Sequence, residues 1–338
     1  MDKIQIANLL LTRRCNLRCD YCSIVKDYPG MPDIYPNMKY YRDHELSYNE
    51  WIQILSMLKK NNPNVFLIFY GGEPFLYDGL TELIKYCHKE NLHYTIISNN
   101  TKEIQPKILQ LYHDVGQLEG FTASIDPELY RILHNPNVDY TDDAVVKTLA
   151  GYKNLSIIKN EKIAKDVVAE ITVTNYNQGM LYDTIKILSL SGIYSSITTI
   201  DIKKSPYYDF STVTDESLLV QKSYIINDQF QKIIEDKSLL VHIPELLMKL
   251  YDILPCEMKC NIYKDVHNVT VDCDGTFRLC LRIKGDETPR YSGIFDKDGN
   301  IQEGFKEALQ FDYENICKGC NHTCLIMSSY FCNQILEH

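Results

Sequence analysis

Three thiols open the chemistry of this chain. Cys15, Cys19 and Cys22 stand in the segment Cys15-Asn16-Leu17-Arg18-Cys19-Asp20-Tyr21-Cys22, spaced by three and then two residues, directly after an apolar run. Three closely spaced thiolates can hold three irons of a cubane cluster and leave the fourth iron without a protein ligand. An open coordination position is where a metal centre does chemistry, whereas a fully ligated one carries electrons or structure. Zinc is the competing reading, since Cys-x2-Cys is common in zinc sites, yet no His or fourth Cys lies nearby to complete a tetrahedral set. Arg13, Arg14 and Arg18 flank the loop and can balance the thiolate charge or be solvated surface charge.

The remaining cysteines are unevenly spread. Cys87 stands alone on a helical stretch, where it reads as a small buried apolar residue. Eight of the twelve crowd into 256–332. Within that region Cys260 is followed by fourteen residues, Gly275, four residues and Cys280. Asp272-Cys273-Asp274-Gly275 reads as a hairpin turn between apolar runs. Cys317-x2-Cys320-x3-Cys324 and Cys332 follow. The segregation suggests a large domain with one metal site and a C-terminal module with one or two more.

Elements that could position these groups alternate along the first two hundred residues. Strands are expected at Ile4–Leu11, Val65–Tyr70, His93–Ser98, Gly120–Asp126, Val167–Thr174 and Tyr194–Ile202. Helices are expected from the Ser47-Tyr48-Asn49-Glu50 capping box to Asn61, and over Asp78–Glu90, Lys102–His113, Asp142–Ile158 and Met180–Leu190. Trp51, Met57 and Leu58 repeat at helical spacing and read as core. Strands alternating with helices imply parallel pairing through right-handed crossovers, hence an α/β barrel or partial barrel, with a doubly wound sheet as the alternative. Sites in such barrels lie at the strand C-termini. Thr122, Ser124 and Asp126, and Glu170, Thr172 and Thr174, alternate with apolar residues on two successive strands. Parallel strands covered on both faces should be almost wholly apolar, so a lumen holding a polar ligand accounts for the alternation; half exposure is the plainer alternative.

Composition limits the classes of function. The 338 residues carry 45% hydrophobic and 24% charged content and a net charge of −10. That balance argues against extended nucleic-acid contact, which relies on Lys and Arg at phosphates. No membrane span and no signal peptide are visible, so a cytoplasmic location with reduced, metal-binding cysteines is expected.

Read together, the Cys15-x3-Cys19-x2-Cys22 loop after the first strand, Gly71-Gly72-Glu73-Pro74 after the second and Ser124-Ile125-Asp126 ending the fourth resemble the radical S-adenosylmethionine superfamily. The resemblance implies a partial (β/α)6 TIM-type barrel over residues 1–202, then a helical linker over 203–255. It implies a 4Fe–4S cluster on Cys15, Cys19 and Cys22 whose open iron chelates S-adenosylmethionine. Gly71, Gly72 and Glu73 match the segment that holds the methionyl ammonium, and Ser124 and Asp126 match positions that contact ribose or carboxylate. Ser98-Asn99-Asn100 resembles a third-strand terminus that usually ends in glycine, and Asn175 lies where related enzymes place a cofactor-contacting Asn. Reduction by an external low-potential donor would cleave the cofactor to a 5′-deoxyadenosyl radical that takes hydrogen from a substrate.

The segment 256–338 resembles the small Cys-rich SPASM or twitch domains that hold auxiliary 4Fe–4S clusters. Cys260, Cys280, Cys317 and Cys320 are the expected ligands, with Cys256, Cys324 and Cys332 as substitutes, Cys273 as a bystander and zinc as the alternative metal. The later spacing departs from the full pattern. This resemblance favours a peptide or protein substrate. The chain starts at its first strand with no peptide-recognition domain ahead of it, which keeps oxidation or rearrangement of a small metabolite as the second expectation. RNA modification follows, disfavoured by the acidic balance, and a non-catalytic iron–sulfur or zinc scaffold is the reading from another class. The tract Tyr28–His44 reads as a lid or a surface loop, and His134, His267 and His322 are candidate proton carriers.

Overall fold

The structure is a computed structural model describing residues 3–17, 19, 22, 43–126, 129–200, 216–254, 258–259, 268–278, 298, 300 and 318–320. Six β/α units run in order. The strands are β1 (Ile6–Leu10), β2 (Phe66–Tyr70), β3 (His93–Ser98), β4 (Leu118–Ile125), β5 (Ala164–Val173) and β6 (Tyr194–Thr199). Between them lie α1 (Tyr48–Asn61), α2 (Leu80–Glu90), α3 (Gln105–Val115), α4 (Leu129–His134), α5 (Asp143–Asn160) and α6 (Leu181–Leu190). Beyond β6 come α7 (Tyr224–Glu235) and α8 (Leu246–Ile253). The C-terminal strands are β7 (Met258–Lys259), β8 (Asn268–Val271), β9 (Phe277–Arg278) and β10 (Lys318–Cys320).

The main sheet has the order β6-β5-β4-β3-β2-β1-β8-β9. Seven neighbouring strands are parallel, and β9 returns antiparallel to β8. Neighbours follow chain order from β1 to β6 with no reversal, so the sheet has no switch point and is not doubly wound. It curls into a partial TIM-type barrel. β8 and β9 come from the segment expected to form the C-terminal module, and they extend this sheet beyond β1. A separate two-stranded sheet pairs β7 with β10.

Local sequence explains the elements. Ser47 and Glu50 close a reciprocal capping box at the start of α1, with the Ser47 N–H donating to Glu50 at 2.7 Å. Trp51, Leu55 and Leu58 of that helix are buried in the core. Met57 is 39% exposed and does not belong to the core. It lies about 120° around the helix from the Trp51–Leu55–Leu58 stripe, at roughly 100° per residue. Phe121, Ala123 and Ile125 on β4 and Ala169, Ile171 and Val173 on β5 are buried in the same apolar cluster as helical Leu155, Leu181 and Ile185. The alternating polar residues therefore face the opposite side, away from the helices. There Thr122 and Thr174 are buried, Glu170 and Thr172 half-buried, and Ser124 and Asp126 exposed.

Candidate active site at the C-terminal ends of the strands

The cysteine loop leaves the C-terminal end of β1 and is stitched to the turn after β2. Leu11 donates its N–H to the Tyr70 carbonyl at 2.9 Å, Gly72 to that of Thr12 at 2.7 Å, and Glu73 to that of Arg14 at 2.7 Å. These bonds carry strand-like pairing past the sheet and fix where the loop begins. The two glycines are required by that closeness. A Cβ on Gly72 would stand 2.6 Å from the Arg14 carbonyl carbon and 2.8 Å from the Arg13 oxygen, and one on Gly71 would overlap the Thr12 carbonyl. The glycine pair thus serves first to let two backbones meet.

Glu73 is fully buried and braces three segments. Its carboxyl accepts hydrogen bonds from the Phe75 N–H (3.2 Å), the Ser98 hydroxyl (3.0 Å) and the Asn99 N–H (2.8 Å). Burial outweighs those bonds and pushes its pKa up to about 7, with Lys107 pulling the other way. Lys107 is held by the Phe75 carbonyl at 3.0 Å. Ser98, also buried, additionally accepts from the Asn100 N–H at 3.0 Å. Asn100 has φ 52°, the left-handed region where glycine is favoured and Asn is the usual second choice. That geometry explains why Asn replaces glycine here. Its side chain also donates to the Gly151 carbonyl at 2.8 Å.

The three cysteines are half-buried thiols outside any disulfide. The Cys15 sulfur accepts from the Leu17 N–H at 3.3 Å and from the Asn99 amide at 3.6 Å. Its pKa is raised by burial first, with repulsion from Glu73 and Cys22 adding to it. The Cys22 N–H donates to the Cys19 carbonyl at 3.1 Å. Among the described residues no three His, Cys, Asp or Glu side chains are gathered closely enough to grip a metal ion. The donor chemistry nevertheless suits an iron–sulfur cluster: three thiols on one anchored loop, with anionic repulsion that bound iron would relieve.

Other expected residues are distributed as follows. Asn175 is exposed in the turn after β5, where its N–H donates to Leu218 and its side-chain oxygen accepts from Gln178 at 2.7 Å. Ser124 stands opposite Glu170 across the β4–β5 ladder, and Glu170 opposite Ser196 across β5–β6. Burial raises the Glu170 pKa from its ordinary carboxylate value. His134 is an exposed residue whose ring stacks on Tyr130 with centroids 4.2 Å apart. Cys87 is fully buried. Cys273 is buried in the hairpin turn, where Gly275 takes φ 80°. Arg18, Cys256, Cys260, His267, Cys280, Cys317, His322, Cys324, Cys332 and residues 28–42 of the expected lid lie outside the described residues. Cys320 ends β10, whose backbone pairs with β7.

Three contributors were not read from the sequence. Asn99 links the β3 terminus to the loop, donating to the Asn16 side chain at 2.7 Å as well as to Cys15; its place in the Ser98-Asn99-Asn100 terminus was the available signal. Glu45 holds Thr12 by a short hydrogen bond and Arg14 by an ion pair of 2.9 Å. Asp272 holds Arg13. No local pattern marks either carboxylate as a partner of these arginines.

The sequence profile of the radical SAM superfamily matches residues 9–198. That span covers more than half of the chain, which therefore belongs to this superfamily of enzymes. Its fold is similar to that of SuiB from Streptococcus suis bound to the precursor peptide SuiA, with a TM-score of 0.55 at 13% identity, covering 93% of this chain and 65% of that one. SuiB bound to S-adenosylmethionine gives a TM-score of 0.55 at 12% identity, covering 94% and 67%. A curated relative, an S-adenosylmethionine-dependent nucleotide dehydratase of Selenomonas ruminantium, is 25% identical over 123 residues. The match spans 36% of this chain and 40% of that relative. Among the described residues no helix is long and apolar enough to cross a membrane.

Proposed function

We propose that this chain is a cytosolic radical SAM enzyme that modifies a peptide or protein substrate inside its partial barrel. The carrying observation is the loop of Cys15, Cys19 and Cys22 anchored by Gly71–Glu73 at the mouth of a sheet whose inner face is polar on β4 and β5. When bound, the cluster and S-adenosylmethionine supply the low-potential electron and the carbon radical that removes a substrate hydrogen. The chain's own residues bind and aim. Cys15, Cys19 and Cys22 hold iron and leave one position open. Carbonyls of Gly71 and Gly72 would accept from the methionyl ammonium, and Glu73, with a pKa pushed up to about 7, would be favoured as its carboxylate anion beside that cation. Ser98 acts through Glu73. Ser124 and Asp126 would contact the ribose or carboxylate of the cofactor, and Asn175 would be a further cofactor contact.

Residues 256–338 are proposed to hold one auxiliary 4Fe–4S cluster on Cys260, Cys280, Cys317 and Cys320. The β7–β10 ladder supports this pairing, since Lys259 and Lys318 are register partners and are next in sequence to Cys260 and Cys317. Fold likeness to a protein solved with its precursor peptide favours the peptide reading. The second reading, a small-molecule or nucleotide substrate, is favoured by the named activity of the curated relative.

Anaerobic reconstitution with reductant and S-adenosylmethionine tests the proposal. The expected outcome is 5′-deoxyadenosine that disappears when Cys15, Cys19 and Cys22 are each changed to Ala; undiminished formation would overturn it. Iron near eight per chain supports one auxiliary cluster, about twelve supports two, and about four with zinc supports a structural module. Adding a short peptide encoded beside this gene, or a nucleotide, and measuring which one accelerates 5′-deoxyadenosine release separates the substrate classes.

A further inference from the structure

The segment from which Cys15 hangs is Thr12-Arg13-Arg14, and its central side chain is buried with a carboxylate from the far end of the chain. Arg13 is 3% exposed and Asp272 is 0% exposed. The Arg13 Nη2 donates to Asp272 Oδ2 at 2.5 Å and its Nε to Oδ1 at 3.3 Å, a two-pronged contact across 259 residues of sequence. Asp272 opens the β8–β9 turn, where its N–H donates to the Thr276 carbonyl at 2.8 Å and its Oδ1 also accepts from the Cys273 N–H at 2.8 Å. The same turn grips the chain beyond the cysteine loop: the Leu46 N–H donates to the Cys273 carbonyl at 2.7 Å. Glu45, next to Leu46, holds Thr12 and Arg14. The hairpin thus clasps the loop segment directly through Asp272 and indirectly through 45–46.

Burying an ion pair is a weak source of stability, because desolvation of both charges offsets their attraction. Its effect on orientation and local charge is stronger. Arg13 stays protonated whatever its surroundings, so only a neighbouring anion can cancel its field. We infer that Asp272 is a positioning residue for the cysteine loop, fixing the Arg13 side chain and cancelling its charge so that the metal centre on Cys15, Cys19 and Cys22 keeps a low reduction potential. The inference rests on the proposed cluster. A cation near a cluster stabilises the added electron, so loss of the carboxylate adds one positive unit and raises the potential, whatever else Arg13 touches. The hairpin lies between Cys260 and Cys280, so the same contact ties the segment proposed to hold the auxiliary cluster to the loop of the first.

The experiment is a redox titration of the reconstituted full chain, following the electron-paramagnetic-resonance signal that responds to S-adenosylmethionine and is absent from Cys15→Ala. At a fixed poise Asp272→Asn should raise the reduced-to-oxidised ratio at least tenfold, an upward shift of 59 mV for one electron. Asp272→Glu, which keeps the charge, and the double variant Arg13→Gln/Asp272→Asn, which removes both charges, should titrate within threefold of the parent. A smaller or downward shift in Asp272→Asn, or a double variant that keeps the shift, overturns the inference, because a purely structural brace predicts no recovery on deleting both partners. If Asp272→Asn fails to load iron, the double variant must load it and match the parent; failure of both overturns the inference. A parent protein without the Cys15-dependent signal overturns the cluster reading itself, and this inference with it.

Discussion

The two halves of the sheet differ in how completely they are tied down. At the C-terminal ends of β1, β2 and β3, buried side chains are bonded into one web. Glu73 receives three donors, Ser98 and Asn100 are bonded to each other, and the loop backbone is paired with Gly72 and Glu73. On β4, β5 and β6 the inward Thr122 is buried, Glu170, Thr172 and Ser196 are half-buried and Ser124 is exposed, with burial raising the Glu170 pKa. One half holds its own backbone still, and the other turns a row of polar side chains to the inner face of the sheet. That contrast is the usual trade between stability and function, in which a site keeps groups that a packed core would not tolerate.

The contrast can be broken most sharply at Gly72. Gly72→Ala forces a Cβ into the Arg13–Arg14 backbone, and backbone cannot give way as a flexible side chain can. A loss of about 3 kcal/mol, as for severe overpacking, is expected, together with loss of iron loading. Urea unfolding of the metal-free chain and iron analysis after reconstitution check it; a fully stable, iron-loaded variant would show that the web is loose.

Glu73→Gln is next. The folded pKa of about 7 lies above the ordinary carboxylate value of 4.5, so the native state holds a proton that the unfolded chain has released between those values. The contribution of Glu73 is therefore fully present below pH 4.5, is lost as pH rises through 7, and is on the order of 3 kcal/mol across that window. Thermal unfolding of the metal-free chain from pH 4.5 to 8 should show parent stability falling relative to Glu73→Gln as pH rises. Parallel curves would remove Glu73 from the web.

The smallest effect is expected on the open half. Glu170 is desolvated with its pKa raised, so it destabilises the folded chain once ionised at high pH. Glu170→Gln should stabilise the protein by about 1 kcal/mol at pH 8, with the gain vanishing near pH 4. Substrate-free 5′-deoxyadenosine formation should stay within about twofold of the parent. A variant destabilised at pH 8 would mean that Glu170 is part of a bonded network, and the two halves would be alike.

Much of the molecule was legible from local sequence, because local signals arise from short-range physics. The Ser47–Glu50 box starts a helix, alternation on β4 and β5 assigns faces, and Asp272–Gly275 turns a hairpin. Spacing of Cys15, Cys19 and Cys22 carries the expectation of an iron–sulfur loop. Met57 was misplaced because helical spacing alone does not say which residues share the buried stripe. Read in sequence, Glu73 belongs to a segment expected to hold an ammonium; in the fold it is the brace between the ends of β2 and β3, which meet only through sheet pairing.

By itself, then, the order of residues determined the strand–helix alternation, the three-thiol loop, the glycine pair and the family to which they belong. Tertiary structure alone decided that the glycines are needed against Thr12–Arg14, that Asn100 stands in left-handed backbone, and that β8 continues the sheet beside β1. It also joined Arg13 to Asp272. These facts depend on which distant segments share space, and that is set by burial of the whole apolar face at once, a collective quantity that no short stretch of sequence encodes.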